Sequence, residues 1–543
     1  MTYSLFCRNS ILSKFILDII CWVIRFKTIT LFKDYSYFKI ANQSLLGIII
    51  MKKTALFLFF FLVGTSFTQN QNPKYELRGA WIATVANIDW PLNKDTTSEV
   101  QIMNLVNQLD SLKSARINAV FFQVRTECDA LYKSNFEPWS YYVSGKHGVA
   151  PEPFYDPLQI AIDESHKRGM ELHAWFNPYR AVRDTTLYTL DENHVAVQHP
   201  EWIITSQKFK MLDPGLPEVR QHILNVMNDV LENYDIDGIH FDDYFYPYGP
   251  KISTEDSLTF LNYSRGITNV DDWRRDNINI LMKDIYEIVK SKKRFVKFGI
   301  SPFGIVRNEY AGTNGFNSFD IIYCDPLNWL DNKIVDYITP QVYWEIGHEK
   351  ADYAKLVPWW STVTTERHLY IGLFSSRMVA ADYKGKKSEL GDQIRLNRIT
   401  PNVLGAVYFS AKSIYGNWNG LADSMKSNWY KNIAIPPTME WIDSTPPLAP
   451  ENVHIVKTKS GILIDWNLPN AASDGEFPNY YLVYKFNSKD EIDLNKSENI
   501  VTKVLNKKTS FFNLNENDKT SVYVITSLDR LHNESDGVII EIE

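Results

Sequence analysis

From residue 77 onward the chain repeats one unit: an apolar run of strand length, a loop, and a stretch whose apolar residues recur at helical spacing. The first run, 77–85, is followed by 98–116, where Ile102, Leu105, Val106, Leu109 and Leu112 mark one face of a helix. Further strands are expected at 117–125, 170–180, 236–242, 295–303, 335–345, 368–374 and 404–410. Helices are expected at 157–168, 217–233, 271–291, 326–332, 353–366, 389–398 and 421–430; Pro217 suits the first turn of its helix. Eight such units predict an α/β fold, a (β/α)8 TIM barrel spanning 75–435. A doubly wound open sheet is the alternative, but no Gly-rich phosphate loop follows any strand.

Beyond residue 435 the pattern changes. Residues 436–448 are Pro-rich without a helical period and read as a linker. Residues 449–543 carry strand-length runs at 453–456, 461–466, 480–486, 521–527 and 537–542. Trp466 in an early strand and Tyr523 in a late one resemble a fibronectin type III-like sandwich, in which a Trp fills the core and a Tyr ties a corner. The expected role of this module is a spacer or cell-envelope docking element without catalysis.

Alternation within the barrel strands sorts the residues by face. In the stretch 236–247, Ile239 and Phe241 point toward the surrounding helices. Gly238, His240 and Asp242 point inward, with Asp243 and Tyr244 at the strand's carboxyl end, where barrel enzymes keep their chemistry. The same counting places Trp81, Gln123, Arg125, His173, Trp175, Asn177, Tyr179, Ser301, Gln341, Tyr343 and Glu345 on the inner wall. Asp242 and Glu345 therefore emerge as two carboxylates at one rim, with Asp243 beside the first. Glycoside hydrolysis needs such a pair, one to protonate the leaving oxygen and one to act as nucleophile or base. The aromatic neighbours, Trp344 among them, suit sugar faces and would desolvate an acid. Arg125 is a candidate to hold a substrate carboxylate or to pair with Asp242 or Asp129. Asp129 and Glu127, in the loop after the second strand, read first as loop-forming groups and second as acids reaching the centre, and His173 and His240 first as hydrogen-bonded barrel histidines and second as proton shuttles.

Composition narrows the class. The 543 residues include 15 Trp, 30 Tyr and 30 Phe, which fits carbohydrate contacts, while a net charge of -7 without a basic stripe argues against a nucleic-acid partner. The four cysteines form no C-x-x-C or Cys/His cluster, and the histidines lack metal-ligand spacing, so neither metal nor other cofactor is expected. Residues 51–68 read as a secretory signal peptide: a basic start, a short apolar run, then small residues. Its apolar run is short for a membrane span, so no stable span is expected in the mature protein, and the expected location is periplasmic or extracellular. Residues 1–50 are then upstream read-through, with translation starting at Met51.

Several motifs are similar to the glycosyl-hydrolase-like 10 family. They are 77–85 (Leu-Arg-Gly-Ala-Trp-Ile-Ala-Thr-Val), 88–91 (Ile-Asp-Trp-Pro), 129–132 (Asp-Ala-Leu-Tyr) and 173–180 (His-Ala-Trp-Phe-Asn-Pro-Tyr-Arg). The others are 238–247 (Gly-Ile-His-Phe-Asp-Asp-Tyr-Phe-Tyr-Pro), 301–304 (Ser-Pro-Phe-Gly) and 340–344 (Pro-Gln-Val-Tyr-Trp). The resemblance implies a barrel glycosidase acting on bacterial glycans, with cell-wall peptidoglycan strands as the substrate class. Residues 237–244 also resemble the D-G-x-D-x-D-x-E strand of chitinase-like barrels, but His240 and Tyr244 replace its middle Asp and catalytic Glu. An amylase-like plan would use Asp242 as nucleophile, with its acid from Glu345 or Glu309. A catalytically silent carbohydrate-binding scaffold is the reading from a different class, and a glycan amidase or deacetylase the third.

Overall fold

The computed structural model describes residues 72–249, 251–458, 461–506, 511–514 and 522–541. The expected signal peptide and the fifty residues before it lie outside them. Eight parallel strands close into a barrel: β1 (Leu77–Ile82), β2 (Ala119–Arg125), β3 (Glu171–Phe176), β4 (Gly238–Phe241), β5 (Lys297–Ile300), β6 (Tyr337–Ile338), β7 (His368–Leu373) and β8 (Val403–Tyr408). Each strand pairs with its neighbours in chain order, and β8 returns to β1 with Ala80 opposite Tyr408.

Helices return the chain outside this ring. Among them, α1 (Ser98–Ser114), α2 (Pro157–Lys167), α3 (Pro217–Asn233) and α4 (Val270–Lys292) lie close to their expected bounds. Thr97, Asp156 and Asn269 cap α1, α2 and α4 by accepting backbone N–H bonds that the first turn leaves open. A three-stranded antiparallel sheet, Arg180–Val182, Phe209–Leu212 and Ile203–Ser206, fills the long excursion between β3 and α3. No helix among the described residues is long and apolar enough to cross a membrane.

Alternation divides the apolar residues into two separate cores. Ala80, Val120, Leu172, Ile239 and Ile300 pack outward under the helices. Leu77, Trp81, Phe121, Trp175, Tyr337, Tyr370 and Val407 fill the interior. Space for these large rings comes from glycines on facing strands. A Cβ at Gly238 would come within 2.3 Å of the His173 ring, and one at Gly299 within 2.2 Å of Tyr337. Replacing either would drive a side chain into the packed axis.

The C-terminal residues form a three-stranded sheet (Glu451–Thr458, Gly461–Asn467, Phe511–Leu514) and a four-stranded one ordered Ile500–Leu505, Tyr480–Phe486, Val522–Leu528, Val538–Glu541. Trp466 is buried with Ile464, Tyr481, Val483, Tyr523 and Ile525. The strands at 500–505 and 511–514 do not read as strand-length apolar runs; in the first, Ile-Val-Thr-Lys-Val-Leu, a polar pair interrupts the apolar residues and no two-residue alternation appears.

This module and the preceding segment close the amino-terminal end of the barrel. Met439 enters the inner core, and Trp441 donates its indole N–H to Asp336 at 3.1 Å. From the sheets, His532 approaches Glu171 at 3.4 Å and Arg530 approaches Asp237 at 3.5 Å. The module expected as a spacer or docking element is packed against the base, through charges that sequence spacing could not pair.

Candidate active site

Where β3, β4, β5 and β6 end, a cleft of about 210 Å³ opens. Trp81, Trp175, Tyr244, Tyr343 and Phe409 give it aromatic walls; Gln123, Arg180, Asp242, Ser301 and Gln341 supply the polar groups. Its position follows from strand geometry, because parallel strands all release their next loop at the same rim.

Asp242 is the carboxyl that lines this cleft. Its Oδ1 accepts from the backbone N–H of Asp243 at 2.9 Å and from Gln341 Nε2 at 3.4 Å. Asn177, with its amide nitrogen turned toward the site, donates to Oδ2 at 3.2 Å and accepts from Arg180 Nη2 and, at 3.3 Å, from Gln123 Nε2. Burial raises the Asp242 pKa, against the lowering effect of these donors and of Arg180. Asp243 lies fully buried behind it, accepting from the Tyr248 hydroxyl at 2.6 Å. Burial and the neighbouring Asp242 charge push Asp243 well above the usual carboxylate range. The two carboxyls are in hydrogen-bonding contact, and each stands above the usual carboxylate range, Asp243 the further.

Beneath the cleft runs a directional chain of hydrogen bonds. Trp81 Nε1, which can only donate, faces His240 Nε2 at 3.2 Å, so that nitrogen is the acceptor and Nδ1 carries the hydrogen. Nδ1–H then donates to the Tyr337 hydroxyl at 3.1 Å, and that hydroxyl to His173 Nδ1 at 2.8 Å. His173 Nε2–H ends the chain on Glu171 at 2.9 Å. Burial holds the His240 pKa well below its usual value, in keeping with a neutral ring. These histidines are structural links, as a barrel interior requires.

Other candidates lie elsewhere. Arg125 is enclosed: Nε and Nη2 bind Glu137 at 2.7 and 2.5 Å, and Nη1 reaches the carbonyls of Asn177 and Pro178. It clamps two loops and holds neither Asp242 nor Asp129. Asp129 Oδ1 accepts from Thr126 N, Thr126 Oγ1 and Glu127 N, folding its own loop. Glu127 is bound by the hydroxyls of Tyr142 and Tyr188. Tyr179 is fully buried in the outer core, because β3 ends at Phe176 and Pro178 turns the chain before it.

Glu345 does not line the cleft. It is half-buried and hydrogen-bonded to Tyr383, a residue of the loop after β7. The reason is local: β6 is two residues long, and its pairing continues only through bridges at Gln341, so alternation cannot be counted to 345. Trp344 packs on Phe303 outside the cleft. Glu309 is exposed beside Arg307. Arg180 and Phe409 do line it, although neither follows from counting along a barrel strand: Arg180 opens the three-stranded excursion, and Phe409 stands just past the end of β8.

No Cys or further carboxylate joins Asp242 on the cleft wall to make a metal-ligand set. One carboxylate trio among the described residues, Asp443, Asp474 and Glu476, lies between linker and C-terminal sheets, where Arg294 already pairs with two of its members.

The family model described as glycosyl hydrolase-like 10 matches residues 76–388. Glycosyl hydrolase YngK of Bacillus subtilis (strain 168) is 36% identical over 519 residues, 92% of this chain and 98% of that protein. Glycosyl hydrolase DigH of Escherichia coli (strain K12) is 37% identical over 369 residues, 62% of this chain and 84% of that protein. Among solved structures, the PgaB (BpsB) glycoside hydrolase domain from Bordetella bronchiseptica aligns with a TM-score of 0.46 at 13% identity, covering 65% of this chain and 98% of that one. A family match over more than half the chain, with a relative aligned almost end to end, makes this chain a member of the glycosyl hydrolase-like 10 family.

Proposed function

We propose that the protein is a secreted glycoside hydrolase that cleaves O-glycosidic bonds of a bacterial glycan, cell-wall peptidoglycan strands or a related polysaccharide. The observation that carries this reading is Asp242: a buried carboxyl of raised pKa, set among aromatic walls at the carboxyl rim of a family barrel. A carboxyl whose pKa is raised by burial is suited to deliver a proton to a glycosidic oxygen, and Asp243 stands in contact behind it to exchange one. With no second carboxylate on the cleft wall, the opposite sugar face is left to water or to a group the substrate brings. Asp242 and Asp243 are too close together to flank a sugar ring, which needs carboxyls roughly 5 Å apart or more.

Secretion through residues 51–68 is part of the proposal, as is a fibronectin type III-like assignment for the C-terminal module. Its three- plus four-stranded sheets and the buried Trp466 support the latter.

The test is incubation of the protein with peptide-free peptidoglycan strands and a polysaccharide panel, scored for new reducing ends, then repeated with Asp242→Asn. New ends that vanish with the substitution support hydrolysis. Binding without product in the unsubstituted protein supports a carbohydrate-binding scaffold, and released acetate a deacetylase.

A further inference from the structure

We infer that Arg180 makes the cleft selective for a sugar bearing a carboxylate, and this rests on the glycan reading above. Arg180 is only 4% exposed, yet it lines the cleft and forms no ion pair among the described residues. Its Nε donates to the Thr126 carbonyl at 2.9 Å, and Nη2 to the side-chain oxygen of Asn177. Its guanidinium plane lies over the Tyr244 ring, 4.7 Å from the centroid. Every contact therefore orients the guanidinium, and none neutralises it. The other deeply buried arginines are neutralised: Arg125 by Glu137, Arg274 by Asp256, and Arg78 by Glu76.

A buried cation without a counter-ion is costly, and it persists where a ligand supplies the missing charge. Asp242 makes no ion pair with it and acts on it only at a distance, because Asn177 stands between the two groups and bonds both. With Nε held by Thr126 and Nη2 by Asn177, the guanidinium is fixed on the cleft wall, where a ligand can reach it. Arginine suits this role because its planar fork matches a carboxylate in two parallel bonds. Asn177 touches both Asp242 and Arg180, so the carboxylate-bearing sugar sits next to the bond that Asp242 protonates.

Two sugar chemistries carry such a group, a lactyl ether on an amino sugar and a uronic acid, and the test separates them. Peptide-free peptidoglycan strands and a polyuronate are each compared with their carboxyl-reduced forms, reading kcat/KM by reducing ends and binding by calorimetry with Asp242→Asn. Carboxyl reduction of the preferred glycan is expected to cost roughly 10- to 100-fold in both readouts. Arg180→Met should cost as much on the acidic glycan, and combining it with carboxyl reduction should cost little more than either alone. Arg180→Lys should recover part of the loss.

Equal handling of the acidic and reduced glycans overturns the inference. So does an Arg180→Met penalty that adds fully to that of reduction, which would make Arg180 a positioning residue for Asp242. If Arg180→Met fails to fold, the comparison of acidic and reduced glycan on the unsubstituted protein decides alone. If no glycan is cleaved but binding still discriminates against reduced carboxyls, the hydrolase reading fails while the carboxylate inference stands.

Discussion

At the base of the barrel Glu171 meets Lys297, His173 and His532, Asp237 meets His166 and Arg530, and Asp336 meets Lys290 at 2.6 Å. At the mouth, Asp242 and Asp243 have each other and neutral donors, while Arg180 has an aromatic ring and two oxygen acceptors. The same cylinder thus treats its charges in opposite ways at its two ends. Lys297 and His173 hold Glu171 far below the usual carboxylate range, and His166 does the same for Asp237, despite burial in both cases. Burial wins at the mouth and raises both acids. One end stores its charges in pairs, where removal of a partner is costly; the other leaves them for something that arrives.

The largest effect that would break this comparison is at Asp242. Asp242→Asn should lower glycan cleavage about 10²- to 10⁴-fold, read by reducing-end release, with the folding midpoint little changed. A comparable loss from a base substitution that leaves folding intact would show that the division is wrong. At the base the cost should fall on stability. Glu171→Gln leaves Lys297 buried without its partner and should cost about 3–5 kcal/mol in urea unfolding. Unlike that at the mouth, this change should loosen the packing of the C-terminal sheets, detectable as faster amide exchange around His532 and Lys503. The Lys503 pKa is pushed down to about 7 by burial and is supported by Glu171.

The smallest effect expected is at Glu345. Lying outside the cleft against Tyr383, its change to Gln should alter cleavage by about twofold or less, checked in the same assay. A loss as large as that of Asp242→Asn would restore Glu345 to the mechanism and require the loop after β6 to move.

Much of this architecture can be read from the chain, and the limits have a common cause. Alternation carries as far as a strand lasts. It places Trp81 and Trp175 inside their strands, Asp242 one residue past β4 and Gln341 at a bridge, all on the cleft, and Tyr343 reaches it two residues beyond that bridge. It loses Tyr179 beyond Pro178 and Glu345 beyond the two-residue β6, where the backbone no longer has a two-residue period. Arg125 does not reach the cleft, because the register shifts between Gln123 and Arg125 and its partner Glu137 comes from a loop twelve residues on, which no periodicity announces. Arg180 belongs to the three-stranded excursion, so its place on the cleft depends on how that insertion folds back. The docking of Lys503, Arg530 and His532 at the base depends on contacts between residues hundreds of positions apart, and sequence spacing carries no signal for it.

The most direct test of the opposed ends compares the unfolding free energies of Glu171→Gln and Asp243→Asn across pH. A depressed native pKa contributes stability above the unfolded carboxylate value and loses it as pH falls, so the Glu171→Gln penalty should be full at neutral pH and shrink below about 4.3. A raised native pKa contributes stability at low pH and loses it as pH rises, so Asp243→Asn should match the unsubstituted protein below about 3.9 and exceed it at neutral pH. Opposite signs at pH 7, converging in acid, are the result this account predicts; destabilisation by both substitutions at pH 7 would contradict it.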